Sequence, residues 1–164
     1  AEGYTPLIMA CQDGHLECVQ LLLEARAAVD QAKNDGTTPL SIASLTGQID
    51  CSRLMIAAGA AVNQADTDGF TPLHVASQEG QPAVVLFLLR AGADAAARTS
   101  EGHTALQLAK DEGHAECERA LEAAAREAEA ARHAEELLAE EEEEARAKEK
   151  KKGKKKGKKK KKNG

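Results

Sequence analysis

The sequence predicts an all-α solenoid: four helix–turn–helix units joined by turn or hairpin loops, then a long charged helix and a disordered Lys-rich tail. Three observations predict it. Gly3, Gly36, Gly69 and Gly102 recur every 33 residues and open nearly the same phrase: Gly-Tyr-Thr-Pro-Leu, Gly-Thr-Thr-Pro-Leu, Gly-Phe-Thr-Pro-Leu and Gly-His-Thr-Ala-Leu. A second series, Gly14, Gly47, Gly80 and Gly113, follows eleven residues behind the first. Aromatic residues make up only 2% of the 164, with no Trp, one Tyr and two Phe, so Ala, Leu, Ile and Val must fill thin layers between closely set helices. Units locked to one period cohere mainly through contact with their neighbours. Such a stack offers a long, shallow, rigid surface in place of a closed pocket, and its expected work is to hold another macromolecule.

The third unit is the cleanest. Asp66 to Gly69 forms a turn, with Asp tolerating tight geometry and Gly supplying a positive φ. Thr71 caps a short helix and Pro72 suits its first position, where the missing N–H is no loss. Leu73, Val75 and Ala76 form an inward stripe, and Gly80 ends the helix. Pro82 starts a second helix, buried along Val84, Val85, Leu88 and Leu89 and stopped by Gly92. Cys18, Cys51 and Cys117 share one phase with Val84, a place that calls for a small buried apolar side chain.

Phe70-Thr71-Pro72-Leu73-His74-Val75-Ala76 resembles the signature of the ankyrin repeat, and Ala58-Gly59-Ala60-Ala61-Val62-Asn63 is similar to that family's helix-ending phrase. Matching units cover about residues 1–124, divided near 1–32, 33–65, 66–98 and 99–124. The resemblance implies that His74 braces adjacent turns, so the junctions carrying Ile8, Ser41 and Gln107 at its phase are expected to be looser. Arg26 stands where Gly59 and Gly92 end their helices, so that junction is expected to be strained or to end differently. Ala105 replaces the proline of the other units, a mild loss. The first unit lacks a polar outer side, and further repeats are expected ahead of Ala1.

The resemblance also implies that partners lie across the turn tips and the exposed side of the short helices. By phase those positions are Tyr4, Gln12 and Asp13, then Asn34, Asp35, Thr37, Leu45 and Thr46. The third unit gives Thr67, Asp68, Phe70, Gln78 and Glu79, and the fourth Ser100, Glu101, His103, Asp111 and Glu112. Tyr4 and Phe70 are expected as exposed anchors. Seven carboxylates and no Lys or Arg fall in this concave strip, which points to a protein partner that is basic or rich in hydrogen-bond donors. The bland alternative is that polar turns simply keep the stack soluble.

From Ala115 to about Lys150 the chain is mostly Ala, Glu, Arg and Lys, strong helix formers, without Gly or Pro. The pairs Glu122–Arg126, Glu142–Arg146 and Glu144–Lys148 support a helix, while Glu140–Glu144 is self-repulsive and expected to melt locally. Leu137 and Leu138 are too few for a heptad seam, so residues 125–150 are expected as a solvated single helix of a monomer. Residues 151–164 are expected to be disordered. Lys150, Lys151, Lys152, Lys154, Lys155, Lys156, Lys158, Lys159, Lys160, Lys161 and Lys162 form an electrostatic tail. Its readings are an import signal, weak sequence-blind contact with nucleic acid or anionic lipid, solubilisation, or folding back onto the acidic helix or groove. Residues 148–162 carry +11, and subtracting that from the chain's −5 leaves −16 for the remainder.

No apolar run reaches the roughly 18 residues of a membrane-spanning helix. Four cysteines are too few for a disulfide scaffold, and cytosol or nucleus is the expected setting. The metal-like spacing His15/Cys18 and His114/Cys117 is a by-product of the repeat, and no cofactor is expected. No nucleophile, base and orienting group fall together, so an enzyme is not expected. The function classes left are an interaction module, a tail-directed tether, and the regulatory part of a larger enzyme or channel.

Overall fold

A computed structural model describes residues 2–160, with side chains described for 2–146 and for Lys148. All eight elements among the described residues are helices. They are α1 (Pro6–Asp13), α2 (Leu16–Glu24), α3 (Pro39–Leu45), α4 (Ile49–Ala57), α5 (Pro72–Gln78), α6 (Pro82–Arg90), α7 (Ala105–Asp111) and α8 (Ala115–Lys160). The chain divides into two compact units, Ala1–Ala124 and Ala125–Gly164.

Within the first unit, each odd-numbered helix starts by the same device. Thr5, Thr38, Thr71 and Thr104 hold extended backbone, and each hydroxyl accepts from the N–H three residues on. Proline opens α1, α3 and α5. The helices also end alike. The N–H groups of His15, Gln48, Gln81 and His114 donate to the carbonyls of Ala10, Ala43, Ala76 and Ala109 at 2.8–2.9 Å. Identical local signals at one period give identical helix pairs, which then stack. Helices α1, α3, α5 and α7 pack side by side in that order, with α2, α4 and α6 as a second layer. Leu7, Ile8, Val19, Leu40, Met55, Leu73, Val84, Val85, Leu88 and Leu121 are buried between them.

The junctions are braced by different groups. His74 Nε2–H donates to the Ala97 carbonyl at 3.0 Å, which leaves Nδ1 free to accept from the Thr71 N–H at 3.2 Å. Burial holds this imidazole below its ordinary value, in keeping with a neutral ring. Ser41 instead pairs with Thr38 at 3.1 Å, and Gln107 accepts from the Thr104 N–H at 2.8 Å. Further braces were not read from the sequence. Gln81 Nε2 donates to Leu45 O at 3.4 Å and His114 Nε2 to Gln78 O at 2.9 Å. The Asp30 carboxylate accepts from Ala61 N–H at 3.0 Å, and Asn63 Oδ1 from Asp94 N–H at 2.9 Å.

Arg26 does enter the left-handed region, at φ 61°, the one non-glycine to do so among the described residues. It closes α2 with the same pair of bonds that Gly59 makes after α4. Arg26 N–H donates to Leu23 O and Ala27 N–H to Leu22 O, both at 2.9 Å. The junction is therefore strained and does not end differently.

Three expectations are corrected. Cys51, Val84 and Cys117 are buried, but Cys18 is exposed, because this position packs against the preceding helix pair and the α1–α2 flank that carries it faces away from the stack. The run Glu140–Glu144 stays helical, supported by Glu142–Arg146 at 3.8 Å and Glu144–Lys148 at 3.0 Å. The helix expected to end near Lys150 continues through Lys160. Lysine is a good helix former that suits the negative end of the macrodipole, and this outweighs Gly153 and Gly157, which cost about 1 kcal/mol each. Residues 161–164 of the expected disordered segment lie outside the described residues.

The opposite ends of the 1–124 stack differ in chemistry. The position filled by buried Cys11, Ser44 and Ser77 becomes exposed Lys110 in the last pair, and that of Val19, Ser52 and Val85 becomes Glu118. Lys110 Nζ lies 3.5 Å from Glu118 and 3.0 Å from Glu122, closing that end with charge.

Candidate partner-binding strip

The strip is built from the turn tips upward. In the third turn, Asp66 Oδ1 accepts from the N–H groups of Asp68 at 3.0 Å and Phe70 at 2.8 Å, while Gly69 N–H donates to Asp66 O at 3.1 Å. Gly69 has φ 81°, and a Cβ there would lie 2.8 Å from the backbone nitrogen of Ser100, so the next turn can approach only because no side chain stands between. That approach allows a backbone rung. Ser100 N–H donates to Asp68 O at 2.9 Å, Thr67 N–H to Asp35 O at 2.9 Å, and Asn34 N–H to Glu2 O at 3.1 Å.

These rungs set Asp35, Asp68 and Glu101 in one row, all exposed. They also add Glu2, which the sequence reading passed over although it shares their phase. Asp13, Glu79 and Glu112 form a second exposed row, with Thr46 in their phase, and exposed Gln12, Leu45 and Asp111 lie beside it with half-buried Gln78. Asn34, Thr67 and Ser100 are exposed at the tips, while Thr37 and His103 are half-buried. Several of these groups are already engaged. Thr46 Oγ1 donates to Ile42 O at 3.0 Å, Thr37 N–H donates to Asp35 Oδ1 at 2.9 Å, and Gln78 O takes the His114 proton.

The electrostatics depart from expectation at one end. Lys33, absent from the sequence-based strip, lies 3.0 Å from Asp35 and 4.7 Å over the ring of Tyr4. Its phase belongs to the inner turn position held elsewhere by Asp66 and Thr99, which hid it; the long side chain, only 12% exposed, runs along the tip to reach both partners. The Thr37 N–H, and then the Lys33 ammonium, hold the Asp35 carboxyl down at about 2. Free acidity is therefore concentrated in the third and fourth units. There His103 Nδ1 stands 3.6 Å from Glu101.

The two aromatic anchors also differ. Tyr4 is 47% exposed, but one face of its ring carries Lys33. Phe70 is half-buried with its ring set edge-on to His74, centroids 6.1 Å apart, so it is partly a structural residue.

Among the described residues no three His, Cys, Asp or Glu groups are arranged to hold a metal. Cys117 is buried and His114 is committed to the Gln78 carbonyl. The side chains of Lys150 to Lys162, the expected electrostatic tail, lie outside the described residues. No described helix is long and apolar enough to cross a membrane.

No curated protein matches this chain. A family model of ankyrin repeats matches it in three overlapping stretches, residues 1–66, 27–99 and 54–131, each wider than one 33-residue unit. With helix pairs, caps and turn rungs all repeating on that period, the chain belongs to the ankyrin-repeat family.

Proposed function

We propose that this chain is an adaptor that docks a basic or donor-rich protein segment along its turn tips and short-helix ends, chiefly at Asp68, Glu79, Glu101, Asp111 and Glu112. Ankyrin repeats are in general protein–protein interaction modules, and one observation supports the partner class. Asp13 and Asp111 end α1 and α7, and Glu79 and Glu112 cap α5 and α7. A helix C-terminus is its negative pole, where a carboxylate costs about 0.3–1 kcal/mol and a base is favoured. The last turns of α1, α3 and α5 hold no base. Acid kept where it opposes helix stability supports a role outside the stack.

Panning a random peptide display library on the full chain tests the reading. Enriched peptides should be basic. Their affinity should fall about tenfold or more in an Asp68→Asn/Glu79→Gln/Glu112→Gln variant and fall with salt. Enrichment of apolar or acidic peptides, indifferent to the substitutions, refutes it.

A further inference from the structure

Among the described residues the exposed large apolar side chains fall into three groups. Tyr4 and Leu45 belong to the strip, and Met9, Leu16 and Leu21 to the first helix pair. Leu86 on α6 and Leu137 and Leu138 on α8 belong to neither, and they are 44%, 49% and 61% exposed. Their surroundings carry opposite charge. Leu86 lies beside half-buried Phe87, with exposed Arg53 and Arg119 at its own phase on α4 and α8 and exposed Arg90 one helical turn further along α6. The Arg53 guanidinium stands 5.5 Å from the centre of the Phe87 ring, and Arg119 Nε donates to Ala115 O of its own helix at 3.2 Å. None of these three arginines takes part in the ion pairs formed among the described residues. They surround an apolar spot on the outer helix layer that shares no residue with the strip.

The leucines of α8 have the complementary rim. Glu135 and Glu141 stand three residues to either side of Leu138, and Glu140 three beyond Leu137, so these carboxylates share the leucines' side of the helix. All three are exposed, and the ion pairs of this stretch use Glu142 and Glu144 instead.

We infer that the Leu137–Leu138 stretch of α8 in one copy of the chain docks on the Leu86–Phe87 patch of a second copy, with Glu135, Glu140 and Glu141 meeting Arg53, Arg90 and Arg119. The dimensions agree. Three residues of helix place Glu135 and Glu141 about 4.5 Å to either side of Leu138, and Arg53 and Arg119 stand one helix spacing, about 8–10 Å, from Leu86. Arginine is long enough to close that difference. Pairing α8 with α8 would instead set like carboxylates against one another. The monomer expected from the short leucine seam concerns that helix-on-helix pairing; this contact gives the two leucines a different surface.

Sedimentation velocity on the full chain tests the inference, at about 0.15 M salt and with concentration raised to about 1 mM. The weight-average mass should climb above that of one chain as concentration rises. An Arg53→Glu/Arg119→Glu chain and a Glu135→Arg/Glu141→Arg chain should each associate with themselves about tenfold more weakly or worse, because each then opposes like charges. Mixed in equal amounts, the two should associate as the parent does, since the rim of each now matches the other. Leu86→Gln keeps every charge and should weaken the parent's association by a similar factor. Every substituted side chain is exposed, so circular dichroism should match the parent throughout.

A mass fixed at one chain over the whole range overturns the inference. Association that survives the arginine swap overturns it as well, and would place the contact on α8 alone or between tail and strip. Swapped chains that stay apart when mixed, or a Leu86→Gln chain that associates like the parent, overturn it equally.

Discussion

Replacing Arg26 with glycine should stabilise the stack. Arg26 holds φ 61°, where an L-residue pays roughly 1–2 kcal/mol for the approach of its Cβ to the backbone. Gly59, at the same phase with φ 91°, has nothing within 4 Å of where a Cβ would stand, so the cost at this corner is local to the residue and not a packing clash. The helix-ending bonds from Arg26 and Ala27 match those from Gly59 and Ala60 within 0.1 Å, so none is lost on substitution. Glycine also gains freedom in the unfolded chain, which returns about 0.4–1 kcal/mol. The net gain is about 0.5–1 kcal/mol, or roughly 2–5 °C in Tm for a unit of this size. Urea unfolding followed at 222 nm on matched samples measures it, with the slope checked for constancy. Arg26→Ala keeps the Cβ and should gain little, while Gly59→Arg, the reverse change at the equivalent corner, should lose about 0.5–1 kcal/mol. An Arg26→Gly variant no more stable than the parent would refute the reasoning, and equal gains from Ala and Gly would move the strain from the backbone to the side chain.

Three further outcomes are expected. His74 is held below its ordinary 6.5 by burial, so its contribution is complete above that value and is lost as pH falls through the lowered folded value. Stability measured from pH 7 to 5 should therefore decline more steeply in the parent than in His74→Gln, and parallel curves would refute the neutral bridging role. Gly69→Ala should cost about 2–4 kcal/mol in urea, combining positive φ with the 2.8 Å approach to Ser100. Gly102→Ala, with φ 89° and open space, should cost only about 1–2 kcal/mol; equal losses would show that the close approach does not matter. Deleting residues 148–164 should raise affinity for a basic peptide at low salt if the tail competes for the acidic strip, and an unchanged affinity in calorimetry eliminates that competition.

The parts of the molecule legible in the sequence are those fixed by local chemistry at a repeated phase. Thr71 and Pro72 start a helix wherever they stand, Gly80 ends one, and the period carries both through the stack. Arg26 was legible for the same reason, since an arginine in a glycine phase must meet the glycine's φ. What escaped depends on reach or on ends. Lys33 belongs to an inner turn phase, yet its four-carbon stem brings the ammonium to Tyr4 and Asp35. Phe70 sits at a variable turn position, but its ring is large enough to lean on His74. Cys18 shares the phase of buried residues and lacks only the neighbour that buries them. Periodicity describes the average unit, and the candidate strip was legible in its placement but not in how its charges pair.

The turn-tip rungs run from main chain to main chain, and this separates support from message. The tips of Asp35 and Asp68 are held by their carbonyls; the Asp35 carboxylate also braces its own turn through the Thr37 N–H, whereas that of Asp68 takes no part in the rung. A letter such as Asp68 can be rewritten while the page keeps its ruling, so new partners could be acquired by substitution there at little cost in folding.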